Sequence, residues 1–322
     1  MKIIKNIVNT YQKLPLSGKI LLFTSLFLVV TVFFRILEQE KRRRRGQTGQ
    51  NGFGIEGYEQ NDAFLFKSNS EVYDDFYADI YDLLVFNNLK DDFEVGEIIN
   101  RTTPTSESVI LDIGCGTGHH VAKLGDNGLN VIGIDISPSM IKKAKENFPQ
   151  YHFVVGDVIN ENEFKPQSFT HILCLYFTLY YMEDKQRFFN NCFDWLQPGG
   201  YLIVHLVNRD KFDPILPSAN GLFIVSPQKY AKKRITQSKV TFNEFVYNAD
   251  FDLPDSSNIA RFKEKFKFNN GKVRKQEHTL YMEPQTTIIN YAQNSGFIIQ
   301  GNIDLVHCAY DHQYLYILVK PS

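Results

Sequence analysis

The run Val109-Ile110-Leu111-Asp112-Ile113 leads directly into Gly114-Cys115-Gly116-Thr117-Gly118. An apolar stretch rich in branched residues reads as a buried parallel strand. The strand carries an acid near its end and is followed by three glycines at alternate positions. Glycine at that spacing lets the backbone turn tightly and approach a ligand with no Cβ in the way. The residues that follow, His119 to Asn127, read as a helix whose N-terminus points at that ligand. A chain with this element folds around a nucleotide-type cofactor.

The glycine spacing separates the possible cofactors. A dinucleotide fingerprint requires Gly-x-Gly-x-x-Gly after the strand. A phosphate cradle requires a Lys-Ser/Thr pair after the glycines. This chain has neither, and reads Asp-x-Gly-x-Gly-x-Gly. A second apolar strand, Asn130-Val131-Ile132-Gly133-Ile134-Asp135, also ends in an acid, where a carboxylate accepts hydrogen bonds from ribose hydroxyls. Ser137-Pro138-Ser139-Met140 starts a helix with proline just inside it. His152-Phe153-Val154-Val155-Gly156-Asp157 reads as a third strand with its own terminal acid.

These motifs, in this order, resemble the class I S-adenosylmethionine (SAM) methyltransferases over roughly residues 70 to 320. The resemblance implies an α/β fold, a Rossmann-like seven-stranded sheet. It implies that Asp112, Gly114, Cys115, Gly116 and Gly118 wrap the methionine part of SAM and that Asp135 holds the ribose. Ile136 and Met140 would pack near the adenine, and Asp157 with Val158 would meet its edge. A fourth strand, Phe169 to Leu175, would line the methyl-transfer site. Leu196-Gln197-Pro198-Gly199-Gly200 matches the family's turn into strand five.

Residues Tyr73 to Asp82 read as a helix with Tyr73, Tyr77 and Tyr81 on one face. In small-molecule methyltransferases such a helix covers the cofactor, so Tyr73 and Tyr81 are expected to touch it. After the fourth strand, Tyr176 to Met182 lacks the Asn/Asp-Pro-Pro-Tyr/Phe of enzymes that act on base amino groups. The chain also lacks paired glutamates of the protein-arginine type and a metal-ligand set of the catechol type. Tyr180 and Tyr181 remain as candidate walls. Methyl transfer relies mainly on alignment, and a base helps an amine or hydroxyl acceptor. His205, His278 and Tyr180 are the expected catalytic candidates. His119 and His120 are expected to pack the first helix turn and not to bind metal.

From Pro217 to Pro284 the sequence holds an extra segment with alternating stretches: Thr241 to Phe251, Ile259 to Phe268 and Lys272 to Met282. Asn269-Asn270-Gly271 reads as a hairpin turn. The expectation is a three-stranded antiparallel insertion. It resembles the sheet that sugar N-methyltransferases place over the active site. A helix from Pro284 to Ser295 and two last strands complete the expected fold.

The formal charge of −1 conceals an asymmetry. Residues 1–45 hold ten Lys or Arg against Glu38 and Glu40, giving +8 and leaving −9 for the remainder. An acidic catalytic portion gives no reason to expect nucleic acid as a partner. Four cysteines (Cys115, Cys174, Cys192 and Cys308) show neither disulfide nor metal spacing, which favours a reducing compartment.

Ile20 to Phe34 carries no charge. As a helix these residues span about 22 Å, short of a hydrocarbon core of about 30 Å. Extending the span to residues 14–37, with flanking Lys and Arg snorkelling, gives enough length. Lys41-Arg42-Arg43-Arg44-Arg45 follows in place of a cleavage site. The expectation is a single-pass transmembrane helix within residues 1–45, a Gly-rich tether at 46–62 and a catalytic domain at 63–322 that faces the cytoplasm. The function expected is methyl transfer from SAM to the N or O of a small-molecule or lipid-linked acceptor. The alternatives are a non-methylating enzyme on the same fold and a membrane-tethered SAM-binding scaffold.

Overall fold

Buried strands of one sheet set the frame, and the chain crosses it with helices on both sides. The computed structural model describes residues 63–160, 162–214, 228 and 231–322. The expected anchor and tether (1–62) and the start of the expected insertion (217–227) lie outside the described residues. Among the described residues, no helix is long and apolar enough to cross a membrane.

The elements in chain order are β1 (Phe64–Ser68), α1 (Asp75–Val85), α2 (Asn88–Thr102), β2 (Val109–Ile113), α3 (His119–Asp126), β3 (Asn130–Asp135), α4 (Pro138–Asn147), β4 (His152–Val155) and β5 (Phe169–Cys174). They continue with α5 (Lys185–Trp195), β6 (Leu196–Val207), β7 (Gln237–Thr241), β8 (Phe245–Asp252), β9 (Ile259–Phe268), β10 (Val273–Tyr281), α6 (Gln285–Asn294), β11 (Ile298–Asp304) and β12 (Gln313–Val319).

The larger sheet has seven strands in the order β11-β12-β6-β5-β2-β3-β4. β2 pairs in parallel with both β3 and β5, so the strand order reverses at β2. Ligands in open α/β sheets bind at the carboxyl ends of the strands beside such a reversal. Both faces of the sheet are covered. Leu111 and Ile113 of β2 pack with Phe188, Cys192 and Trp195 of α5 and Ile288 of α6. Ile110, one residue out of phase, packs with Ile98 of α2, Val121 of α3 and Ile141 of α4. Period-two alternation with both phases apolar explains why β2 reads as a continuous hydrophobic run.

The smaller sheet has five strands in the order β1-β10-β9-β8-β7. Three antiparallel strands were expected. The structure adds β7 and also β1, which pairs in parallel with β10 at Phe66↔Lys275. The alternation along β8 to β10 sorts residues by face. Tyr247, Phe251, Phe266 and Leu280 are buried, whereas Lys265, Lys267 and Lys275 face solvent. The buried face also carries Glu264, Arg274, Gln276 and His278.

Helix α1 joins the two sheets. Its N-cap Asp74 accepts from Tyr77 N at 3.1 Å. Phe76 packs edge-on against Phe266 at 5.4 Å. From its other side, Asp79 accepts from Lys143 of α4 at 2.7 Å. Tyr73 lies just before the helix rather than within it, because Asp74 takes the cap position with extended backbone. Its ring nevertheless meets Tyr77 at 5.5 Å, and Tyr77 meets Tyr81 at 6.0 Å.

Gly118 caps α3 in the left-handed region, with φ +92°. A Cβ there would stand 2.8 Å from the Phe153 ring. Gly118→Ala is therefore expected to cost at least about 1–2 kcal/mol from backbone handedness alone. Urea unfolding checks this, and an unchanged midpoint would contradict it.

Candidate active site

The glycine turn after β2 is pinned to β3. Gly114 N and Cys115 N both donate to Ile134 O, at 2.8 and 3.1 Å. Gly114 has φ +67°, and a Cβ on it would fall on Thr178 Cγ2. The backbone is thus held close to the 3-10 turn Thr178–Tyr181 that follows β5. Gly116 N donates to Asp135 Oδ2 at 3.0 Å, and Ser137 N donates to Asp135 Oδ1 at 2.9 Å. Ser137 Oγ accepts from Met140 N, capping α4, and donates to Tyr73 O at 2.6 Å. The tip of β3, the start of α4 and the segment before α1 are therefore fixed to one another.

These elements enclose a cavity of about 640 Å³. Gly114, Gly116, Asp135, Ile136, Met140, Asp157 and Val158 line one side of it. Tyr73, Tyr77, Tyr81, Tyr176 and Tyr181 form an aromatic wall. Phe251 of β8, Arg261 and Phe262 of β9, and Thr279, Leu280 and Tyr281 of β10 close it from the smaller sheet. Asp112, Cys115 and Leu175 line a narrower recess. That recess shares Tyr81, Gly114, Gly116, Tyr176 and Thr178 with the main cavity. Gly118 lines neither space. Its contribution is to turn the backbone into α3.

Charge in the recess is concentrated and buried. Burial pushes the Asp112 carboxyl up to about 7, and the carboxylates of Asp135, Asp91 and Glu94 add to the effect against His120. Burial also raises Asp135, although two backbone N–H groups oppose it. At His120 burial disfavours the charge, but Asp91 and Glu94 outweigh it and raise the imidazole to about 9. At Glu94 burial is outweighed by Lys90 and His120, which hold the carboxyl down at about 2. Lys90 Nζ lies 2.7 Å and His120 Nε2 3.0 Å from Glu94 Oε2. Asp91, Glu94 and His120 bring one ligand atom each within 4.8 Å of one another. The Lys90 ammonium already supplies a cation to that cluster, which is an ion-pair network.

Two of the expected catalytic residues, His205 and Tyr180, lie in the core, and the third, His278, stands one residue back from the cavity. His205 is fully buried, with Nδ1 against Tyr176 O, and lines neither cavity. β6 runs on to Val207, so His205 sits within the sheet and not at its edge. Burial lowers its imidazole to about 4, which leaves it neutral. Tyr180 is also core: its hydroxyl accepts from Val207 N at 2.8 Å. Successive residues of a 3-10 turn point about 120° apart, so Tyr181 faces the cavity where Tyr180 does not. His278 stands behind Tyr181, which separates it from the cavity. Tyr181 Oη lies 3.0 Å from its Nδ1. Sequence reasoning missed Glu264, 2.6 Å from His278 Nε2. The available signal was its parity with Phe262 and Phe266 on β9.

Residues 110–200 match the family model described as "Methyltransferase domain". This is a class I SAM-dependent methyltransferase domain. One relative is the dTDP-4-amino-2,3,4,6-tetradeoxy-D-glucose N,N-dimethyltransferase of Saccharopolyspora spinosa. It is 32% identical over 43% of this chain and 57% of its own length. A putative methyltransferase of Invertebrate iridescent virus 6 is 26% identical over 62% of this chain and 78% of its own. The chain spans about half the length of most of the curated relatives it matches. Among solved structures, the CcbJ methyltransferase of Streptomyces caelestis superposes with a TM-score of 0.61. That match has 14% identity and covers 79% of this chain and 99% of the other. SAM-bound CalS10 of Micromonospora echinaspora, an amino pentose methyltransferase, gives a TM-score of 0.52 at 16% identity, covering 73% and 92%. These structural likenesses are likenesses of fold. The methyltransferase domain takes SAM as its cofactor, and the residues fit it. Gly116 leaves room beside the backbone, the nearest atom to a Cβ there being Tyr81 Cε1 at 3.6 Å, and among the described residues buried Asp112 forms no ion pair.

Asp112 yields a pH test. Its folded value of about 7 lies above the unfolded value, so its contribution to stability is full below about pH 4 and is lost as pH rises to 7. Without cofactor, Asp112→Asn should gain on the wild type by up to about 1.4 kcal/mol per pH unit between pH 5 and 7. Urea midpoints at the two pH values measure it. Equal differences at both would refute the buried-charge assignment.

Proposed function

We propose that this chain transfers the methyl group of SAM to an amine on a small, sugar-like acceptor. The observation that carries the reading is the cavity itself. One side is a glycine turn with acids at the strand ends, and the other is a tyrosine wall closed by a β-sheet. SAM supplies an electrophilic methyl on a sulfonium, which is a good leaving group. The protein's residues bind and align. Asp135, fixed by Gly116 N and Ser137 N, keeps carboxylate lone pairs for ribose hydroxyls. Asp157 and Val158 meet the adenine edge, with Ile136 and Met140 packing near the ring. Asp112 offers its buried carboxylate to the positive methionine end. Tyr73 and Tyr81 cover the cofactor. The smaller sheet excludes water and selects the acceptor, a role supported by its placement over the carboxyl ends of the strands. The amino-sugar N,N-dimethyltransferase relative supports an amine acceptor.

The apolar run at residues 20–34 with its basic flank supports a single-pass anchor through residues 14–37. The denser basic cluster follows the span and supports a catalytic domain on the cytoplasmic side.

Two measurements test this reading. Asp135→Ala is expected to weaken SAM binding about tenfold or more, the loss of one to two charged hydrogen bonds. Unchanged affinity by calorimetry would remove Asp135 from the ribose site. Methyl-labelled SAM, incubated with dTDP-4-amino-2,3,4,6-tetradeoxy-D-glucose, should give labelled amino sugar. SAM bound but never consumed, with this probe or a cell extract, would favour a scaffold. SAM consumed without a methylated product would favour a non-methylating enzyme.

A further inference from the structure

Glu264 is 2% exposed and lies on the inward face of β9, a position that calls for an apolar side chain. Every donor around it is a neutral group or His278. Tyr247 Oη donates to Oε1 at 2.6 Å and Tyr77 Oη at 3.2 Å. Gln276 Nε2 donates to Oε2 at 2.5 Å, and His278 Nε2 lies 2.6 Å from the same oxygen. The nearby Arg274 is turned away. It binds Asp74 at 2.8 and 3.0 Å and Gln276 Oε1 at 2.7 Å. Among the described residues, no Lys or Arg forms an ion pair with Glu264. Burial opposes its charge, yet His278, Tyr247 and Gln276 hold it below the ordinary carboxylate range.

That arrangement fixes the direction of the chain of bonds. A charged Glu264 accepts from Nε2–H, and an imidazole carrying that single proton presents Nδ1 as an acceptor. In that tautomer Tyr181 Oη, 3.0 Å away, is the donor to Nδ1. The Tyr181 ring lines the cavity, whereas His278 is 1% exposed behind it. Burial pushes the Tyr181 phenol up, which keeps it protonated.

We infer that Tyr181, His278 and Glu264 form a proton relay that takes the proton released from the acceptor amine, with Tyr181 as the contact to substrate and the other two as positioning residues. The inference rests on the amine-methylating reading above. The nitrogen lone pair forms the N–C bond as the C–S bond breaks, and the bonding pair stays on sulfur. The nitrogen's proton passes to Tyr181 Oη, whose own proton passes to His278 Nδ1. The imidazolium so formed keeps its Nε2–H on Glu264, turning a neutral–anion contact into an ion pair in a dry site. The groups facing His278 are Tyr73 and Tyr77 from the α1 side, Phe262 and Glu264 from β9, and Tyr181 from the turn after β5. Tyr247 and Gln276 reach it through Glu264.

The test uses the full chain, methyl-labelled SAM and dTDP-4-amino-2,3,4,6-tetradeoxy-D-glucose as the acceptor probe, between pH 5 and 9. Tyr181→Phe and His278→Gln should lower kcat about 100-fold or more, with SAM affinity within about threefold of wild type, and should flatten the acidic limb of the kcat profile. Glu264→Gln should move that limb to lower pH, because the imidazolium loses its counter-charge. Should Glu264→Gln not fold, Tyr181→Phe, which removes one hydroxyl at the cavity wall, carries the test. Wild-type kcat and an unshifted limb in Tyr181→Phe and His278→Gln would overturn the relay. Nitrogen-15 spectra of the imidazoles, assigned by loss of signal in His278→Gln, give a readout that needs no acceptor. A resting Nε2–H tautomer supports the relay and an Nδ1–H tautomer overturns it. If the wild type methylates nothing, the amine reading fails while the tautomer still decides the relay.

Discussion

The smaller sheet and its helix are organised around one buried carboxylate. Glu264 could not remain charged in an apolar layer without donors on both oxygens, since an unpaired buried charge costs many kcal/mol. Those donors come from β8 (Tyr247), β10 (Gln276 and His278) and α1 (Tyr77). Satisfying one side chain therefore sets the register of three strands and the seating of the helix that covers the cavity. Arg274 extends the same constraint, because its guanidinium holds Asp74, the N-cap of α1. Buried polar networks of this kind are costly when incomplete and specific when complete.

The cofactor side depends on a second concentration of charge with the opposite balance. Lys90, Asp91, Glu94 and His120 neutralise one another closely, while among the described residues Asp135 has two backbone donors and Asp112 forms no ion pair. Burial raises both aspartates. A cationic ligand in the recess would remove that penalty. The two networks meet at the tyrosines. Tyr81 lies between the recess and the main cavity, and Tyr73 and Tyr181 lie between the cavity and His278.

The parallel half of the fold was legible in the sequence for a physical reason. Strands buried on both faces are unbroken apolar runs, and acids at their carboxyl ends mark where a ligand sits. The α/β methyltransferase fold was implied by the family resemblance that those runs and the glycine spacing carry. Helix α2 was not read, because Lys90, Asp91 and Glu94 resemble a solvated face. Burial of those charges is tolerable because Lys90 pairs with Glu94 one turn on and His120 reaches both acids from α3. β1 escaped notice because its partner β10 lies some 200 residues away in the chain, and Phe64 and Phe66 remain exposed on it. His205 and Tyr180 were misread for local reasons: β6 extends two residues past His205, and a 3-10 turn directs Tyr180 inward where Tyr181 faces out.

The insertion shows where pattern reading stops short of chemistry. Alternation along β9 and β10 correctly separates an inward from an outward set, with Lys263, Lys265 and Lys275 outward. The same alternation puts Glu264, Gln276 and His278 in phase with Phe262, Phe266 and Leu280. Polar residues in the apolar phase of an amphipathic strand either destabilise it or serve one another. Their mutual distances, 2.5 Å from Gln276 and 2.6 Å from His278 to the same carboxylate oxygen, show the second case. A sheet whose only task was to cover a cofactor would gain stability from apolar residues at these positions. Keeping an acid and a histidine there, one tyrosine away from the cavity, is a cost that coverage alone does not explain and that proton transfer does.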